Sequence, residues 1–188
     1  MGLFDRLFGG RFTQPPPDET PVSDAAIMRE LHPYRPGLKA FTQALLARMS
    51  EAERARLVRR VMRCYGHGDE PTSALAEGVL STEKGQSLDQ LALLAVDWRG
   101  FDGFEYLAPF LVKASGIDER YVYQHDGTQT MAQVLAGFDR WLSGLGRRFL
   151  HLDTGGDEYV GCIVESTQVD NMIVLAQLAG IEAGLEAF

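Results

Sequence analysis

The residues best equipped for chemistry lie between Arg147 and Ser166, where two apolar runs flank a short acidic centre that carries glycine. Asp153, Asp157 and Glu158 crowd that centre, with His151 behind them and Tyr159 ahead. Three carboxylates separated by turning glycines could offer oxygen ligands to Mg²⁺ or Ca²⁺. Their spacing completes no metal motif, and an EF-hand loop would need alternating ligands and a distal Glu. Asp and Gly are also the residues β-turns use, because Asp bonds nearby backbone and Gly takes positive φ. A structural turn therefore outranks a metal or catalytic loop, and no motif calls for a cofactor. Asp153, Asp157 and Glu158 stay as weak metal candidates, with Asp97 and Glu105 as further carboxylates for a metal-assisted hydrolase or ligand-binding enzyme.

His151 alternates with Leu150 and Leu152, so it is expected to face away from the core together with Phe149 and Asp153. A solvated or partner-facing histidine is preferred there over a His/Asp general-base pair, since side chains two apart on a strand are neighbours in any protein. His125-Asp126-Gly127 is a second coincidence of this kind and reads as a turn. Asp153-Thr154-Gly155 resembles the aspartic protease triplet, but it occurs once, Gly156 follows where those enzymes place Ala or Ser, and the helical remainder does not suit their fold. No GxSxG, no Cys beside a plausible His, no GxGxxG and no P-loop is present.

Composition narrows the function classes. The chain has 188 residues, 45% of them apolar, enough to bury a core. Its 18 basic and 26 acidic residues give a net charge of −8, which disfavours duplex nucleic acid and anionic membranes and suits a basic protein partner. Cys64 and Cys162 show no metal or disulfide spacing, as expected of reduced thiols in the cytoplasm. No apolar run reaches the roughly 18 residues of a membrane span, and the first residues are not expected to form a secretory signal. Leu3, Phe4, Leu7 and Phe8 recur at helical spacing, an amphipathic turn that could touch a membrane or partner, and the proline-rich linker Thr13 to Asp18 follows.

The elements that position these residues follow from periodicity. Residues 1–21 read as the amphipathic turn and linker, 22–86 as a helical part, and 87–188 as a mixed α/β domain. Helices are expected from Ser23 past Leu31, over Leu38–Met49, from a Ser50/Glu53 capping box, and around Ser73–Leu80. Arg54, Arg56, Arg59, Arg60 and Arg63 make the third the one basic helix, read as a solvated face paired with carboxylates rather than a nucleic-acid surface. Leu91–Trp98 is open between strand and helix, with strand preferred. Asp102 is expected to cap a helix ending at Gly116, and Tyr121–Gln124 to form a strand. Thr130/Gln133 should open a further helix, and Thr167/Asp170 the last one. The aromatics at Trp98, Phe104, Tyr106, Phe110, Phe138 and Trp141 fit core spacings better than a ligand cage. The fold class is α+β: a helical N-terminal part packed on a small sheet of three to five strands with helices, ending in a β-hairpin and a helix.

Val96-Asp97-Trp98-Arg99, the segment Phe104 to Pro109 and above all Leu150 to Tyr159 resemble an uncharacterised bacterial family of unknown function, over roughly the second half of the chain. That resemblance implies a cytoplasmic protein with a mixed α/β domain and transfers no catalytic residues. The expected function is a non-catalytic interaction or regulatory protein. Its candidate binding surface is His151, Asp153, Asp157, Glu158, Tyr159, Asp97, Trp98 and Arg99.

Overall fold

A computed structural model describes residues 30–123 and 127–187. The amphipathic turn, the proline linker, the start of the first expected helix and His125-Asp126 lie outside the described residues. The chain divides into two compact units, residues 1–33 and 34–188, and only 30–33 of the first are described.

The second unit begins with three helices. Helix α1 (Arg35–Leu45) starts on Pro36, whose fixed φ suits a first turn, and buries Leu38, Phe41 and Thr42. Helix α2 (Glu51–Gly66) is capped by the Ser50 hydroxyl, which accepts from the Glu53 amide at 3.3 Å. The expected box is only half formed, because Glu53 turns its carboxylate to Arg56 in a bidentate pair. Arg56 also donates to the Lys84 and Gly85 carbonyls, and Arg60 to those of Glu77 and Gly78 near the end of α3 (Pro71–Leu80). With Arg54, which donates to the Ala47 carbonyl at 3.3 Å, three members of the basic stripe thus hold backbone. A 3₁₀ turn at Leu88–Gln90 leads to strand β1 (Leu94–Asp97). The Gln86 side chain bonds Ala92 and Leu93 just ahead of that strand, doing there what a neighbouring strand would do.

Helix α4 (Phe101–Ala114) follows, with Gly100 as its N-cap and Asp102 in the first turn, so Asp102 meets the helix dipole instead of capping. Residues 121–123 do not form the expected strand. Tyr121 and Tyr123 point inward to Phe104, and Tyr121 also to Phe138, while Val122 is exposed: a period of two without a partner strand. Helix α5 (Met131–Ser143) opens on the complete Thr130/Gln133 capping box. Strands β2 (Arg147–Leu152) and β3 (Glu158–Glu165) form the hairpin, and α6 (Val169–Leu178) starts after a 3₁₀ turn at Ser166–Gln168, slightly later than Thr167 suggested. The two-residue strand β4 (Ala183–Gly184) ends the sheet, whose order is β1-β3-β2-β4 with every pair antiparallel. Six helices and four strands among the described residues give the expected α+β fold.

Both faces of this sheet are covered. Leu150, Leu152, Val160, Cys162 and Val164 face α1, α2, α3 and α6, joining Phe41, Val61, Leu75 and Met172 in one core. The helical part and the sheet therefore share a core across residue 86. Leu94, Val96 and Phe149 face α4 and α5 and pack with Phe104, Leu135 and Phe138 in a second core.

Candidate functional site

The candidate residues meet at one end of the sheet because β1 pairs with β3. The register sets Asp97 opposite Glu158 and Val96 opposite Tyr159, next to the hairpin turn. Beyond β1 the chain reverses tightly: the Gly100 amide donates to the Asp97 carbonyl at 2.8 Å, and the Arg99 amide to the Asp97 carboxylate at 2.9 Å. This turn pushes Trp98 outward, leaving it 51% exposed, with the Arg99 guanidinium 4.0 Å from its ring centroid.

The hairpin turn is also held by its own carboxylate. Asp153 accepts from the Gly155 amide at 2.7 Å, and Gly155 adopts φ +66°. The Asp153 amide donates to the Glu182 carbonyl at 2.9 Å, tying the turn to the approach to β4. Asp157 and Glu158 are exposed. Trp98, Gly156, Asp157, Glu158 and Tyr159 line one open depression. A neighbouring cleft of about 50 Å³ is lined by His151, Asp153, Thr154 and Tyr159 among others. Among the described residues, no three His, Cys, Asp or Glu side chains gather as a metal-binding group. Asp153, Asp157 and Glu158 therefore do not form a ligand set in this conformation.

His151 corrects the sequence expectation. It shares a face with Phe149, as alternation required, but α4 and α5 cover that face, leaving His151 3% exposed. Its ring stands edge-on to Phe149 at 4.9 Å, opposite Gly161, where an added Cβ would come within 2.6 Å of the Phe149 ring. Burial pushes the imidazole down to about 4, against a smaller opposing pull from Asp139. It is neutral at pH 7 and is not a surface residue. Asp139, on α5, accepts from both the Arg148 guanidinium and the Phe149 amide, the latter at 2.7 Å, and so fastens α5 to β2. Burial also pushes the Cys162 thiol up to about 12.

Trp98, Asp157, Glu158 and Tyr159 thus share one depression, Asp97 and Arg99 flank it, and His151 and Asp153 border the cleft beside it. Sequence reasoning missed the β1–β3 pairing that assembles them, and it put Trp98 in the core. The signal for exposure was the Asp97-Trp98-Arg99-Gly100 run itself, a turn composition around an aromatic.

Fold and site together define an α+β domain: an antiparallel sheet sheathed by helices, with an acidic, aromatic-bearing sheet end. A family model described as a domain of unknown function (DUF6630) matches residues 43–187, and the chain belongs to that family. The match begins within α1 and so takes in the helical part that the sequence resemblance left out. Neither the curated proteins nor the solved structures gave a match.

Proposed function

We propose that this protein works by binding rather than turnover, as an interaction or regulatory protein whose acidic sheet end receives a basic segment of a protein partner. The observation that carries this is the shared depression in which exposed Trp98 lies beside Asp157, Glu158 and Tyr159. A partner's Arg or Lys finds an aromatic face and carboxylates there together, the pairing that holds cations at protein surfaces. The chain's own Arg99 lies over the Trp98 ring at 4.0 Å, so a partner's guanidinium must displace it or take the ring's other face. The two free cysteines suit a reducing compartment, and we assign the protein to the bacterial cytoplasm on that basis and on the resemblance noted above.

The test is a tryptophan-fluorescence titration with an arginine-rich peptide in a Trp141→Phe background, which leaves Trp98 as the reporter. Saturable quenching should weaken about tenfold in Asp157→Asn/Glu158→Gln, the worth of roughly 1.4 kcal/mol of charge-assisted contact. Equal affinity in that variant, or equal quenching by a glutamate-rich peptide, refutes the proposal.

A further inference from the structure

The basic stripe of α2 is two populations. Arg54, Arg56 and Arg60 are spent on backbone carbonyls and, for Arg56, on Glu53. Arg59 and Arg63 are exposed, four residues apart on one helix face. Arg35 and Lys39 repeat that spacing on α1, the helix packed alongside, and all four border a single open depression. None of the four has an ion-pair partner among the described residues. The floor between them is apolar, made of buried Val58 and half-buried Met62 with Pro36 at the edge.

Four like charges gathered without carboxylates repel one another, and an anionic ligand relieves that repulsion. The chain's net charge of −8 repels a long polyanion or an anionic membrane, whereas a short segment meets mainly the local field. The floor adds a second requirement, a side chain that covers Val58 and Met62, which a sugar-phosphate backbone does not supply. We propose that this depression docks an acidic, amphipathic segment of a partner protein, with its carboxylates on Arg35, Lys39, Arg59 and Arg63 and an apolar side chain on Val58 and Met62. This surface is separate from the hairpin end and stands whether or not that end binds a basic partner.

The probe is a fluorescein-labelled peptide of about 15 residues alternating Glu and Leu, followed by anisotropy with the full chain at about 0.05 M salt, where screening is weak. Saturable binding is expected, weakened at least about tenfold by Arg59→Glu/Arg63→Glu and by raising salt to about 0.5 M. Because neither arginine supports the fold through an ion pair and the reversal relieves repulsion with Arg35 and Lys39, the variant should melt no lower than wild type, which separates lost docking from lost structure. A Ser-for-Leu peptide should bind more weakly than the parent. The proposal is overturned by absence of binding, by equal binding to the charge-reversed variant, or by equal binding of the Ser-for-Leu peptide. Tighter binding of a duplex of about 15 base pairs overturns it in favour of nucleic acid. Self-association lost in the same variant overturns it in favour of a second copy.

Discussion

His151 gives the sharpest physical test, because its burial ties stability to pH in a window where few other groups titrate. The imidazole falls from 6.5 to about 4 on folding, chiefly through desolvation. Between those values the unfolded chain binds a proton that the folded chain refuses. Stability therefore drops as pH falls through about 6.5, and the loss is complete below about 4. At about 1.4 kcal/mol per tenfold, the whole gap is worth roughly 3 kcal/mol, of which about 2 kcal/mol is already lost at pH 5. That is a large part of the 5–15 kcal/mol, in round terms about 10, that holds a typical domain together. Urea melts of wild type and His151→Leu at pH 8 and pH 5 measure it. Leucine fills about the same space beside Phe149 and carries no proton, so the variant should lose about 2 kcal/mol less than wild type between the two pH values. Taking the difference cancels the carboxylates, including Glu53, whose pKa is held down by Arg56 and whose contribution disappears only at lower pH. Equal losses in the two proteins would refute the reasoning, as would an imidazole resonance of His151 that titrates near 6.5.

Two further substitutions probe how the site is held. Asp139→Ala strands the Phe149 amide and the Arg148 guanidinium and should cost about 2–4 kcal/mol in a urea melt, while Asp139→Asn, which keeps an acceptor for the amide, should cost clearly less. Gly161→Ala forces a methyl to within 2.6 Å of the Phe149 ring and should cost about 1–3 kcal/mol, with a changed near-ultraviolet spectrum from the displaced aromatics; a melt within about 0.5 kcal/mol of wild type would mean that Phe149 has room to yield.

Local chemistry was legible in the sequence, and pairing across the chain was not. The hairpin showed itself through two apolar runs about Gly155, and α5 through Thr130, Gln133 and the buried spacing Val134, Leu135, Phe138, Leu142. These signals lie within a few residues of one another, where geometry is fixed by the backbone. The β1–β3 register joins residues some sixty positions apart, and nothing near Asp97 names Glu158 as its neighbour. His151 was misplaced for a related reason: alternation gives the face a side chain takes but not whether another layer lies over that face. Phe149 to Leu152 are all buried, a continuous run that marks a strand covered on both sides, and here that signal outweighed the lone polar residue within it. Tyr121 to Tyr123 misled in the opposite direction, since two inward aromatics around an exposed valine imitate a strand without any partner to pair with.

The acidic sheet end is where local and global preferences part, which bears on function. Cross-strand neighbours of like charge weaken a sheet, yet Asp97 stands opposite Glu158 at its rim. Asp97 has a structural use in bonding the Arg99 amide, and Asp153 has one in bonding that of Gly155. Glu158 and Asp157 have no ion-pair partner among the described residues, and a neutral residue in either place would ease the repulsion while leaving the Gly155–Asp153 hydrogen bond of the turn in place. Trp98 adds a half-exposed aromatic that stabilises no core. Under the binding function proposed above, residues that cost the fold something and return little to it are expected where a partner would use them. If that is their role, Glu158→Gln should raise the melting midpoint slightly while weakening the arginine-rich peptide. A variant that melts lower instead would place Glu158 in the architecture and remove it from the proposed binding surface.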